Sequence, residues 1–189
     1  MTGSDLLDSA LRGSSFNRLL LNCVVTAASV FTCFMLLPTR LPGMELAGIG
    51  PNWLLIWVVA WSVKRTMFQG ALAGLILGVM QDCVTNPAPT HSLSLILVGI
   101  LTARLRKERY LREDFISIAL ITFGMAVIAE TVMAIQYSLQ GDRNLIEIWN
   151  QYQLIALSSA LLSSLWAPII YFPLNFWWQR VSELDQLQV

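Results

Sequence analysis

Residues 69–82, QGALAGLILGVMQD, set Gly70, Gly74, Gly78 and Asp82 at four-residue intervals on an otherwise apolar run. Residues four apart stack on one face of a helix. The three glycines therefore leave a stripe without side chains, against which another backbone can lie closely. Asp82 ends the stripe with a carboxylate, a group that is costly in a bilayer unless it is paired or wet. The segment predicts a membrane helix packed tightly on a neighbour, with one polar obligation.

The rest of the chain agrees. Of 189 residues, 56% are apolar and only 13% charged, and mean hydropathy is +0.61. Soluble domains carry about 25% charge, so the composition is that of a polytopic membrane protein. Twelve basic and twelve acidic residues cancel, and no nucleic-acid partner is expected. Cys23, Cys33 and Cys83 form no paired framework and read as small apolar residues. The first eighteen residues are mixed in charge and no small-residue cleavage site follows the first apolar stretch. That stretch is expected to be a retained span.

Apolar segments fall near residues 19–37, 51–63, 67–83, 93–105, 115–137 and 154–176. The first, fifth and sixth are long enough for a hydrocarbon core of ~30 Å, which takes about 20 helical residues. The middle three are short; a helix from Trp53 to Val63 rises only about 17 Å. Joining the second and third in a re-entrant hairpin would bury Lys64 and Arg65 at mid-membrane, which is expensive. Two short or tilted spans joined by a tight basic turn are expected instead.

Basic residues set the direction. Arg12 and Arg18 precede span one, Lys64 and Arg65 join spans two and three, and Arg180 follows span six. Arg104, Arg106, Lys107, Arg109 and Arg112 join spans four and five, whereas the opposite side carries only Arg40 and Arg143. The expected fold is an all-α integral membrane bundle of six transmembrane helices, short in the centre, with both termini cytoplasmic. Residues 1–18 form an N-terminal cytoplasmic segment, 19–176 the membrane domain and 177–189 a cytoplasmic tail. Trp177 and Trp178 beside Arg180 read as interfacial anchors. Trp53, Trp57 and Trp61 give span two an aromatic face, read as packing rather than a cofactor cage.

Chemistry-bearing constellations are sparse. His91 is the single histidine, so one chain holds no multi-histidine metal site. No CxxC pair, GxxxxGK[ST] phosphate loop or GxSxG elbow occurs. No cofactor or metal is expected. His91 falls in the external loop TNPAPTHS and reads as a solvated loop histidine. Glu130 lies well inside span five, in GMAVIAETVMA. An intramembrane acid marks a functional site by default; the plainer reading is a hydrogen bond to a neighbouring helix, for example to a serine of span six. Asp82, nearer the outer interface, either caps the helix after its loop or meets water. Span six presents small residues at four-residue spacing, Ala156, Ala160, Ser164 and Ser159, Ser163, Ala167, which suit close helix contact. Pro168 and Pro173 are expected to kink its cytoplasmic half.

Two loops read as contact surfaces. The stretch RLRKERYLRED, with Arg104, Arg106, Lys107, Arg109 and Arg112, anchors topology or meets anionic lipid or a cytoplasmic partner. In the outer loop Leu145, Ile146, Ile148 and Trp149 fit one side of a short helix, suited to the membrane surface or a partner groove.

The order of these features resembles a known family. A Pro51-Asn52 pair opens a short apolar helix; a basic turn, the Gly-rich helix running into Asp82, a small loop, another short helix and an Arg-rich loop follow. This pattern resembles the bacterial rod shape-determining protein MreD family, most strongly over residues 51–112. Where many members have a glycine-rich turn, this chain has Asn86-Pro87-Ala88-Pro89. The resemblance implies a fold similar to the substrate-binding subunits of energy-coupling-factor vitamin transporters. It also implies a non-enzymatic multi-pass scaffold of the bacterial cytoplasmic membrane. Its implied partners are membrane lipids, an MreC-like scaffold, MreB filaments, and a RodA-type glycosyltransferase with its transpeptidase, which together direct lateral peptidoglycan synthesis and cell shape. The alternative from another class is a vitamin-like uptake subunit. Such subunits typically dock through an alanine-xxx-alanine stripe on the first helix, whereas here Ala27 is followed four residues on by Phe31 and Ala28 by Thr32.

Overall fold

The computed structural model describes residues 15–39, 45–46, 48–85, 89–107, 115–140 and 145–186. The helices are α1 Ser15–Leu36, α2 Trp53–Ser62, α3 Met67–Val84, α4 His91–Lys107, α5 Phe115–Gln140 and α6 Leu145–Gln186. Stretches long and apolar enough to cross a bilayer lie in α1 (Leu19–Leu36), α3 (Met67–Val84), α5 (Phe115–Gln140) and α6 (Tyr152–Val181). The α2 helix and the apolar part of α4, His91–Leu105, are shorter. The third apolar segment, expected to be short, is long enough to cross: its helix covers 18 residues, one beyond the segment read from the sequence, and rises about 27 Å.

Local chemistry explains where the helices start. Asn52 caps α2, its Oδ1 accepting the Leu55 N–H at 3.1 Å. Its own N–H donates to Ser163 Oγ of α6 at 3.0 Å, so one residue starts a helix and fastens it to another. The basic turn that follows is closed by Arg65 N–H on the Ser62 carbonyl, at 3.2 Å. A capping box then opens α3: Thr66 Oγ1 accepts the Gln69 N–H, and Gln69 Oε1 accepts the Thr66 N–H, each at 3.3 Å. The Arg65 guanidinium lies over the Trp61 ring, 4.4 Å from its centroid, and burial pulls its pKa below the usual value.

The bundle is organised around α2. With ten residues it rises about 15 Å, half of a bilayer core. Yet it touches every other helix, and all of it except Trp61 is buried. A helix jacketed by protein need not match the lipid thickness. The three tryptophans of α2 each reach a neighbour. Trp53 meets Trp166 of α6 edge-on at 5.5 Å, Trp57 Nε1 donates to Ser29 Oγ of α1 at 2.9 Å, and Trp61 meets Trp178 of α6 edge-on at 5.1 Å. The aromatic face is therefore packing. Trp178 is 9% exposed, an inner contact of the core and not the interfacial anchor expected from its place beside Arg180.

Two antiparallel pairs, α3 with α4 and α5 with α6, make the most extensive helix contacts. In the first pair the glycine stripe meets backbone along its whole length. A Cβ at Gly70 would lie 2.5 Å from the Gly99 carbonyl oxygen; one at Gly74 would strike the Leu95 backbone, and one at Gly78 the Ser92 backbone. A Cβ at Gly99 would in turn strike the Gly70 carbonyl. The predicted close contact is real, and its partner is α4. In α6, Ser159, Ala160, Ser163 and Ala167 are buried, so the inner part of its small-residue surface packs within the bundle. By contrast α1 is peripheral, with Cys33 its one buried apolar side chain among the described residues. Outward groups such as Phe68, Ile76, Ile116, Leu120, Leu161 and Leu165 are exposed and form the apolar belt that lipid requires.

One element differs in extent. The outer-loop helix expected around residues 145–149, span six and the start of the tail are one continuous helix of 42 residues that runs through Pro168 and Pro173. The stretch NQYQLIA between the outer segment and the span contains neither glycine nor proline to stop it.

Gly74→Ala should lower stability by about 1–3 kcal/mol, the range for overpacking a closed contact. Gly124, with nothing within 4 Å of its added Cβ, is the control: Gly124→Ala should be neutral or gain up to ~1 kcal/mol from helix propensity. Thermal unfolding of the two detergent-purified variants checks this, and equal behaviour would remove the stripe from the stability account.

Candidate functional site

Polar side chains gather at the end of the bundle where α3 runs into α4. The first four N–H groups of a helix have no partner within it, and at α4 the partner is a carboxylate from the neighbouring helix. Asp82 Oδ1 accepts the His91 N–H at 2.7 Å and lies 2.8 Å from His91 Nδ1. Oδ2 accepts the Ser92 hydroxyl at 2.8 Å and the Ser92 N–H at 3.3 Å. An ionised carboxylate only accepts, so the contact places the imidazole proton on Nδ1. The helix dipole adds to the attraction.

Of the two expectations for Asp82, capping the next helix is the one observed. Its side chain is 13% exposed, so these hydrogen bonds rather than open water meet its cost. The solvated loop histidine is corrected: His91 is the first residue of α4 and its side chain is only 22% exposed. Thr-His-Ser ahead of an apolar run is an N-terminal helix signal, and a carboxylate nine residues earlier supplies its cap. Next to this clamp, Gln136 of α5 fastens the loop. Its Oε1 accepts the Thr90 N–H at 3.1 Å, and its Nε2 donates to the Thr90 carbonyl at 3.2 Å.

Glu130 lies on α5 with Ser159 of α6 beside it. It also lines two hollows. One, of about 390 Å³, lies at the Asp82 end among Asn52, Gln81, His91, Glu130, Tyr137 and Ser159. The other, of about 340 Å³, runs between α5 and α6 past Glu130, Tyr152 and Ala156. Gln81 is 5% exposed and its Oε1 has no hydrogen-bond partner. Gln81, one position before Asp82, continues the buried face of α3 after Gly74 and Gly78. A third hollow, of about 510 Å³ between α1, α2 and α3, is walled mainly by apolar side chains such as Val30, Phe31, Trp57 and Leu72. Among the described residues no group of three or more His, Cys, Asp or Glu side chains could hold a metal ion.

Of the remaining sequence candidates, those of the basic stretch begin at the far end of α4 and those of α6 at its start, a turn before Tyr152 of the first hollow. Arg104 is exposed near the close of α4. The side chains of Arg106 and Lys107 lie outside the described residues, as do Arg109 and Arg112 altogether. Leu145, Ile148 and Trp149 belong to the first turns of α6, with side chains outside the described set. Gly99, the facing half of the glycine contact, was missed; a lone glycine in SLSLILVGILTARL was its signal.

Asp82→Ala should cost about 2–4 kcal/mol, since it strands two backbone N–H groups and two side-chain donors together. Asp82→Asn, which keeps an acceptor but loses the charge, should recover roughly half of that. Unfolding of the purified proteins checks the order; an alanine variant as stable as the parent would mean that water can replace the carboxylate.

The family model described as rod shape-determining protein MreD matches residues 14–181. No curated protein and no solved structure matches the chain. The family match takes in all six helices nearly to the end of α6, and so spans the glycine contact, the Asp82 clamp and the Glu130 hollows alike. This membrane protein belongs to the MreD family of rod shape-determining proteins.

Proposed function

We propose that the chain is a non-enzymatic scaffold of the cell-elongation machinery in the bacterial cytoplasmic membrane. It helps to maintain cell shape by organising lateral peptidoglycan synthesis. The match to MreD over residues 14–181 carries this reading. The use of polar groups supports it. Asp82, Asn52, Gln136 and Ser163 each hold one element against another, as suits a protein whose product is a rigid membrane surface.

In this reading both termini face the cytoplasm, as the basic residues require, and the Asp82 end faces outward. The RLRKERYLRED loop, entered through exposed Arg104, meets anionic lipid or the cytoplasmic filament side, MreB in family terms. The outer end, with the first turns of α6, faces the periplasmic scaffold of MreC type and the RodA-type glycosyltransferase with its transpeptidase.

Depleting the endogenous protein should turn rod cells round, and expressing this chain should restore rods with lateral wall incorporation. A tagged copy drawn from solubilised membranes should bring the elongation proteins with it. Recovery of a transporter ATPase pair instead, with cell shape unaffected by depletion, would overturn the reading in favour of an uptake subunit.

A further inference from the structure

The two hollows that meet at Glu130 have a consistent chemistry. A carboxylate can accept several hydrogen bonds, and Ser159 of α6 stands beside this one. The first hollow is also lined by Gln81, a side chain more than nine-tenths buried whose carbonyl oxygen has no donor among the described residues. Neither lining contains lysine or arginine. The imidazole of His91, which borders the first hollow, is held by Asp82 through Nδ1. Tyr137 and Tyr152, 5.2 Å apart, add an aromatic wall. Among the described residues the site therefore offers acceptors and π faces and no opposing cation.

We propose that this site binds a ligand carrying an ammonium group on an apolar body. The ammonium lies between the Glu130 carboxylate and the Gln81 carbonyl, and the body rests along the tyrosines. An ammonium supplies three donors, enough to meet both acceptors, and the tyrosine faces add cation–π attraction. Two routes serve the same chemistry. The first hollow admits a soluble amine from the Asp82 end, and the α5–α6 hollow admits an amine headgroup from the lipid. The inference stands on the cavity and its acceptors, independently of which machinery the protein serves.

The test uses the full chain purified in detergent, with benzylamine as the soluble probe and benzyl alcohol as its uncharged counterpart. Binding is read by saturation-transfer NMR and thermal shift. Benzylamine should bind at least tenfold more tightly than the alcohol, and Glu130→Gln should remove that preference. Gln81→Met, which deletes the second acceptor, should weaken amine binding several-fold. A short-chain phosphatidylethanolamine that competes with benzylamine, where phosphatidylglycerol does not, would assign the natural ammonium to lipid; no competition would assign it to a soluble amine. Equal binding of amine and alcohol to the unaltered protein overturns the proposal whether or not the variants fold. So does a Glu130→Gln protein that retains the preference.

Discussion

The contact of α3 with α4, backbone against backbone, is the constraint from which the rest of this bundle follows. Apolar side chains gain nothing by leaving lipid for one another, so membrane helices associate through close packing and polar ties. Gly70 facing Gly99, with Gly74 and Gly78 seated on Leu95 and Ser92, brings two helices nearer than any side chain would permit. The contact also sets a register. With Gly78 against Ser92, the next stripe position is Asp82, which reaches the first amides of α4. A polar clamp at the end of the hairpin is thus a geometric consequence of a glycine repeat in its middle.

The hairpin leaves room for a short central helix. A ten-residue segment cannot satisfy a bilayer alone, and its apolar sequence has no polar face to turn to water. Surrounded by the two hairpins and α1, it acts as a filler whose ends are fastened, by Asn52 to Ser163 at one and by Trp61 between Arg65 and Trp178 at the other. The loose seat of α1 follows. The tryptophan hydrogen bond to Ser29, the buried Cys33 and the partly buried Val30, Phe34 and Leu36 hold it, while side chains such as Leu19, Val24, Phe31 and Met35 are exposed.

Much of this was legible beforehand, because hydropathy, charge and four-residue spacing are local signals. The helices, the basic turn and the small-residue stripe could be read from residues a few positions apart. What stayed hidden depends on pairing at long range. Nothing near Gly99 says that it faces Gly70, nothing in Trp178 distinguishes an inner contact from an interfacial anchor, and the Thr-His-Ser signal after the Pro-rich loop does not say which carboxylate caps the helix that His91 starts. Only the folded register brings these residues to their partners. Residues 145–149 failed for another reason: an amphipathic short helix and the first turns of a longer one have the same local pattern.

The two membrane acids end in opposite conditions, and the difference explains why one is architecture and the other is open. Asp82 sits where four donors converge, two of them amides that would be orphaned without it; the fold determines its surroundings completely. Glu130 has the Ser159 hydroxyl beside it and borders a hollow on each of two sides. A helix contact alone needs no more than the Ser159 hydroxyl and would be served as well by a smaller, uncharged acceptor. Holding a full carboxylate there, in a hollow that the Gln81 carbonyl also lines, is costly in hydrocarbon and brings no further contact between helices. In the complex proposed above, the ammonium of the ligand offsets that cost by supplying donors.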